Sequence, residues 1–226
     1  MNPRGYFITG TDTDVGKTRI ATALLYALAQ TGRRVVGMKP VAAGTTHTAE
    51  GLLNDDVTQL RAAGNIEAPL TMVNPYCFEP AIAPHIAAVQ SGVTIELATI
   101  AAAFETLAAR ADCVIVEGAG GFRVPLNDHE DTADLAVRLA LPVILVVGMR
   151  LGCLNHALLT AQAIQARGLT LAGWVANRID PGMSAAVANV TALQQRLAAP
   201  LLADIPYAPT STLPAVAAQL AVHLLH

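Results

Sequence analysis

The chain is poor in positive charge. Of its 226 residues only 14 are Lys or Arg, against 17 Asp or Glu, for a formal net charge of -3, and no basic stripe is present. This disfavours a nucleic-acid partner. Linkers are also missing: no Ser/Gly tract, Pro-rich run or charge block divides the chain, and no internal repeat is evident. Residues 1–226 therefore read as a single domain with a sizeable core. Hydrophobic residues make up 53% and mean hydropathy is +0.46, yet no apolar run is long enough for a membrane. The longest, from Leu139 to Met149, is broken at Pro142 and is too short to span a bilayer. The N-terminus leads straight into an apolar segment, without the pattern of a signal peptide. We therefore expect no membrane partner and a cytoplasmic location. The three cysteines, Cys77, Cys113 and Cys153, are odd in number and lack Cys-x-x-Cys spacing, which fits a reducing compartment. Cys113 opens an apolar run and reads as a core residue. No Ser/His/Asp triad or Cys/His zinc spacing stands out. Asp128-His129-Glu130-Asp131 reads as a solvated loop, and His85, His156 and the C-terminal histidines read as structural.

What the chain has in quantity is alanine and short Val/Ile/Leu runs, as expected of strands buried on both faces of a parallel sheet. Some of the apolar excess can also cover a subunit interface. Strands are expected at 6–9, 34–38, 113–116, 143–147, 171–176 and 201–205. Helices are expected at 17–30, 56–63, 82–90, 95–109, 132–139, 154–167, 184–197 and 214–224. The two types alternate, and no Asn-Gly or Asp-Gly hairpin signal interrupts them. The fold class expected is α/β: a doubly wound, mostly parallel sheet with helices on both faces.

Between the first expected strand and helix lies Gly10-Thr11-Asp12-Thr13-Asp14-Val15-Gly16-Lys17-Thr18. Strand, loop, Gly-Lys-Thr and helix together form the context of a phosphate-binding P-loop. Backbone N–H groups of the loop and helix start would face an anion. Lys17 would add a mobile positive charge, and the Thr18 hydroxyl can ligate Mg²⁺. The spacing departs from the usual pattern, because five residues rather than four separate Gly10 from Gly16.

In a doubly wound sheet, ligands bind beyond the carboxyl ends of the strands. The other strand ends also carry chemistry. Glu117 closes Val114-Ile115-Val116 and is followed by Gly118-Ala119-Gly120-Gly121. It stands where a P-loop enzyme keeps its Mg²⁺ carboxylate; the alternative is a strand-end acid facing solvent. Lys39 follows the second strand and is held extended by Pro40. It is either a second cation for a transferring phosphoryl group or a surface lysine lying over apolar neighbours. Asn54-Asp55-Asp56 is a helix cap or, through one Asp, a metal ligand. Gly152-Cys153-Leu154-Asn155 opens a helix, as a cap or as an anion site. Asn177 follows the fifth strand.

Six motifs occur in order: GTDTDVGKT at 10–18, KPVAAG at 39–44, NPY at 74–76, EGAGG at 117–121, LGCLNHA at 151–157 and GWVAN at 173–177. In this combination the chain resembles the dethiobiotin synthetase family, from the first strand to about Pro206. The resemblance implies a P-loop NTPase-like fold and use of ATP and Mg²⁺. The implied reaction closes 7,8-diaminopelargonic acid and CO₂ to a cyclic urea, through a carbamate and a carbamic-phosphoric anhydride. It assigns the nucleotide to Thr13, Asp14, Val15, Gly16, Lys17 and Thr18, with Asp56, Glu117, Gly118, Ala119, Gly120, Asn177, Pro206, Tyr207 and Ala208. Thr18, Asp56 and Glu117 match the metal site, and Lys17 and Lys39 the catalytic lysines. Thr13, Lys39, Ala43 and Gly120 match positions that face the substrate, as do Leu151, Gly152, Cys153 and Asn155. In the family this last turn comes from a partner subunit, so a homodimer with composite sites is implied. Two departures stand out. Ala43 replaces a Ser or Thr of some members, leaving backbone, Thr45 or Thr46 to supply any hydrogen bond there. No acid follows Asp204 near the expected nucleotide sugar. The competing reading is a partition- or septum-type switch ATPase. Thr11 to Val15 lack the early lysine of those proteins, and 214–226 contain no Lys or Arg. A cobyrinic-acid amidoligase would need a separate glutaminase domain.

Overall fold

The computed structural model describes residues 4–48 and 51–225; 1–3, within the N-terminal reading above, and His226 lie outside the described residues. From the N-terminus come β1 (Gly5–Gly10), α1 (Lys17–Gln30) and β2 (Val35–Met38), followed by three short strands, β3 (Val41–Ala43), β4 (Thr46–Thr48) and β5 (Gly51–Leu53). Then come α2 (Asp55–Ala63), α3 (Leu70–Val73), β6 (Tyr76–Phe78), α4 (Pro84–Gln90), α5 (Leu97–Ala108) and β7 (Cys113–Gly121). The remainder is α6 (Thr132–Leu139), β8 (Val143–Met149), α7 (Cys153–Ala166), β9 (Leu171–Arg178), α8 (Ala186–Gln194), β10 (Leu201–Ile205) and α9 (Leu213–Ala217).

All six expected strands form, and together they make one sheet in the order β10-β9-β8-β1-β7-β2. Every pairing within it is parallel. Side chains alternate between the two faces, as the period of a strand requires. Phe7, Val116, Leu145 and Trp174 join one core with α5, α6, α7 and α8. Tyr6, Ile8, Ile115, Val146 and Val175 join the other with α1, α2 and α9. Burial on both faces is why these strands read as continuous apolar runs. The chain runs from β1 out to β2, returns to β7, and crosses to β8 on the other side of β1. This reversal opens a crevice at the carboxyl end of the sheet, beside β1.

Three features depart from expectation. A parallel pair, β3 with β6, and an antiparallel pair, β4 with β5, form outside the main sheet. The expected helix 214–224 is broken: α9 ends at Ala217, and a 3₁₀ turn follows at Val222–Leu224. The break has a physical cause. The Ala221 N–H donates to the Leu202 carbonyl of β10 (2.9 Å), which takes the chain out of the helix and onto the sheet. Helices expected at 82–90 and 184–197 are trimmed to α4 and α8; Pro84, in the first turn of α4, suits a helix start. Cys113 is in the core as expected, and burial raises its thiol pKa to about 11. All three cysteines are free. No helix among the described residues is long and apolar enough to cross a membrane.

Candidate active site

The 10–18 segment leaves the central strand and is tied at once to its neighbour: the Thr11 N–H donates to Val146 O of β8 (3.0 Å). Asp14 (φ 58) and Gly16 (φ 89) adopt left-handed backbone conformations. Gly16 is needed twice over, because a Cβ there would also lie 2.2 Å from Asn177 Nδ2. Gly148 of β8 leaves room for the buried Val15, which would be 2.7 Å from an added Cβ. Gly16 is the N-cap of α1 and offers no side-chain acceptor. The free N–H groups of the first turn are therefore left to an anion. Lys17 is 6% exposed, and its Nζ donates to Asp12 O (2.9 Å). Burial and the nearby Lys39 pull its pKa down to about 8, against the upward pull of Glu117, Asp56 and Asp14.

Around this loop β2, β7 and α2 assemble a charged cluster. Glu117, inside β7, is 1% exposed, and Lys39, just after β2, is 5% exposed. The solvent-facing alternatives for both are therefore set aside. Lys39 Nζ donates to Glu117 Oε1 (2.6 Å) and to Asp56 Oδ2 (2.9 Å). Thr18 Oγ1 donates to the same Glu117 oxygen (2.8 Å). Burial pulls the Lys39 pKa down, but the two carboxylates outweigh it and the ammonium is favoured. Burial pushes the Asp56 pKa up, yet Lys39, Thr18 and Lys17 hold it below the usual carboxylate range. Asn54 and Asp56 divide the two roles expected of this helix start. Asn54 Oδ1 caps α2 by accepting from the Asp56 N–H (3.0 Å), while the Asp56 carboxylate joins the cluster.

Thr18, Asp56 and Glu117 bring three hard oxygen donors together, which suits Mg²⁺ and not a thiophilic metal. The second carboxylate oxygen of Glu117 is buried without a hydrogen-bond partner. An orphan acceptor of this kind is costly unless a cation completes it, so the residues fit a divalent ion. Among the described residues no group of three or more His, Cys, Asp or Glu side chains is arranged to hold a metal. The 128–131 loop instead caps α6, with the Asp131 carboxylate accepting from Ala133 N and Asp134 N.

Lys17, Thr18, Lys39, Asp56 and Glu117 line one cavity of about 960 Å³, together with Thr13, Asp14, Gly16, Ala119 and Gly120. Its remaining wall is largely apolar: Val41, Ala43, Ala81, Ile82, Ala83, Pro84 and Val124. Neither Thr45 nor Thr46 reaches this wall; the polar group beside Ala43 is Asn54, whose Nδ2 donates to Gly44 O (2.9 Å) and Ala43 O (3.3 Å). Val15 and Gly118 are not among the residues that line the cavity. Asn177, Pro206, Tyr207 and Ala208 are off this cavity, and Asn177 meets the loop from behind, donating to Val15 O (2.8 Å). The 151–155 turn does not line it either. Gly152 (φ 93) caps α7, Leu151 is 96% exposed and Asn155 is exposed, whereas the Cys153 side chain is buried in the core. Cys153 as a whole is 2% exposed, and its N–H donates to Arg150 O (3.0 Å).

Several supporting residues were not singled out from the sequence. Asn74 Nδ2 donates to Lys39 O (2.6 Å) and Tyr76 O (2.9 Å), fixing the lysine's backbone. Its signal was the NPY motif, which carried no role of its own. Arg150 pairs with Asp12 and ties the loop to the segment after β8. Arg19 contacts Asn177 and Ala208.

Comparison with known proteins adds an independent line. A family model described as an AAA domain matches residues 4–215. A protein of Aromatoleum aromaticum named ATP-dependent dethiobiotin synthetase BioD is 60% identical over 205 residues, covering 91% of each chain. The protein of the same name from Nitrosospira multiformis is 59% identical over 204 residues, covering 90% of this chain and 88% of the other. That of a Janthinobacterium species is 55% identical over 216 residues, covering 94% and 91%. Among solved structures, a ParA family ATPase from Chlorobium tepidum TLS superposes with a TM-score of 0.55 at 16% identity, covering 95% of this chain and 98% of that one. The septum site-determining protein MinD of Pyrococcus horikoshii, complexed with Mg-ADP, gives 0.54 at 15%, covering 97% and 88%. At such identities the likeness is one of fold, P-loop NTPase-like.

Proposed function

The chain belongs to the dethiobiotin synthetase family of ATP-dependent ligases in biotin synthesis, and from this premise we propose that it closes 7,8-diaminopelargonic acid with CO₂ to dethiobiotin in the cavity beside Lys17 and Lys39. The observation that carries the reading is the meeting of both lysines with Thr18, Asp56 and Glu117 at the edge of an apolar-walled pocket. One amine of the substrate takes up CO₂ as a carbamate. A carbamate oxygen then attacks the γ-phosphorus of ATP and ADP leaves. The second amine attacks the carbamoyl carbon, expels phosphate and closes the ring. A carbamate is a weak nucleophile, so alignment and cations supply most of the catalysis.

Residues 13–18 wrap the phosphates with backbone N–H groups, and Lys17 exchanges the Asp12 carbonyl for the outer phosphates. Lys39 is placed to steady the carbamate and the γ-phosphate. Thr18, Asp56 and Glu117 would hold Mg²⁺, which when bound would supply further neutralisation of the phosphates. Val41, Ala43, Ile82 and Val124 suit the methylene chain of the substrate. The backbone of Glu117, Gly118, Ala119 and Gly120, the Asn177 amide and the Pro206-Tyr207-Ala208 turn serve the rest of the nucleotide. We place the reaction in the cytoplasm and in one domain.

The switch-ATPase alternative is separated by what phosphate release requires. Release should need the diamine, bicarbonate and Mg²⁺ together. Excess EDTA should stop it, and added Mg²⁺ should restore it. Release without the diamine, or undiminished in EDTA, would contradict the reading.

The 151–155 turn, absent from the cavity of its own chain, is assigned to the substrate carboxylate of a partner subunit. Leu151, the backbone of Gly152 and Cys153, and Asn155 would then complete a composite site in a homodimer. Mixing a Lys39→Met protein with an Asn155→Ala protein gives hybrid dimers in which one site carries both defects and the other carries neither. Activity should recover toward half of normal per hybrid dimer. No recovery despite verified subunit exchange would show that each chain builds its own site.

A further inference from the structure

Asn177 is the last residue but one of β9 and is 2% exposed, and both ends of its carboxamide are engaged by the protein. Nδ2 donates to Val15 O (2.8 Å), while Oδ1 accepts from Arg19 Nη1 (3.4 Å). Arg19 lies in the first turn of α1, directly after Thr18, and its Nη2 donates to Ala208 O (3.1 Å). One half-buried guanidinium therefore joins the amide near the end of β9 to the turn after β10.

The chemistry of these partners fixes which way the amide faces. A guanidinium only donates and a carbonyl only accepts. Rotating the amide by half a turn would set its N–H groups against Arg19 and its oxygen against Val15 O. Held as it is, the amide retains one free N–H and one free lone pair. A base brought against the amide would meet one donor and one acceptor side by side. The edge of a 6-aminopurine complements that pair, with N7 accepting and the amino group donating. A 6-oxopurine presents two acceptors on the same edge, and its carbonyl would meet the amide oxygen.

We propose that Arg19 is a positioning residue that locks the Asn177 carboxamide and so sets a preference for 6-aminopurine over 6-oxopurine nucleotides. The proposal rests on the reading of Asn177 as the amide that faces the base. Arg19 also holds the Ala208 carbonyl, so the lock extends to the turn expected beneath the base. Without Arg19 the amide is restrained from the Val15 side alone, and a rotated amide loses its repulsion from a cation.

The test is equilibrium binding of ADP and of GDP to the full chain in the presence of Mg²⁺, which does not depend on ligase turnover. Arg19→Met keeps the apolar stem and removes every donor; Arg19→Lys keeps a cation that can reach one partner. The unchanged protein should prefer ADP. Arg19→Met should cut the ADP:GDP affinity ratio by about tenfold, the scale of one charged hydrogen bond, with Arg19→Lys in between. A merely structural role would weaken both nucleotides alike and leave the ratio unmoved. A ratio within about twofold of the unchanged protein in Arg19→Met overturns the proposal, whatever the absolute affinities. Asn177→Ala separates the two layers. Preference lost there but kept in Arg19→Met means that Asn177 reads the base without Arg19. Preference kept in Asn177→Ala overturns the base-facing reading and the proposal with it.

Discussion

Replacing Lys17 with Gln should lower turnover by on the order of 10² or more, the usual cost of losing a preorganised charge on a transferring phosphoryl group. The reason lies in where the side chain sits. Its ammonium is buried beside Lys39 and donates to a backbone carbonyl, Asp12 O. A glutamine can still donate to that carbonyl, so the loop should keep its shape and the loss should appear in the chemical step. The charge also predicts a proton effect. Burial sets the free lysine's pKa at about 8, and bound phosphate favours the protonated form. Nucleotide binding should therefore take up protons increasingly as pH rises through about 8, and affinity should fall over the same range. Lys17→Gln should lack this uptake. Turnover within a few-fold of the unchanged protein would remove Lys17 from the mechanism.

Lys39→Met should have a comparable effect on turnover and an additional one on stability. Lys39 is the cation between Glu117, 1% exposed, and Asp56. Removing one partner of a buried pair leaves an uncompensated charge, at a cost of about 3 kcal/mol. In metal-free solution the variant should melt well below the unchanged protein. Lys39 Nζ occupies the same carboxylates that Mg²⁺ would use, so its removal should enlarge the rise in Tm that Mg²⁺ produces. Unchanged melting without metal, together with near-normal turnover, would contradict the role assigned to Lys39.

The central sheet could be read from the sequence because its strands are buried on both faces, and 113–116 or 143–147 therefore stand out as unbroken apolar runs. The three-residue strands β3, β4, β5 and β6 carry no period, so nothing in the sequence announced them. The 214–224 segment looks helical locally, and only the hydrogen bond from Ala221 to Leu202, a tertiary contact, breaks it. The site divides in the same way. Lys17 and Thr18 follow from local motif physics, and Glu117 follows from its place at a strand end. On pattern alone Lys39 stays open and Asp56 reads as part of a helix cap, because their meaning depends on the 2.6 and 2.9 Å contacts that fold them together. Arg19 was not legible at all: its partner Asn177 is 158 positions away, and no spacing rule connects a first-turn arginine to a distant strand end.

The most direct test of the account is the product formed from isotopically labelled bicarbonate, 7,8-diaminopelargonic acid and MgATP by the purified protein. The prediction is a cyclic urea carrying the label in its carbonyl, formed in equal amount with ADP and phosphate. ADP and phosphate released without labelled cyclic urea would contradict the account and favour a switch ATPase on the same fold.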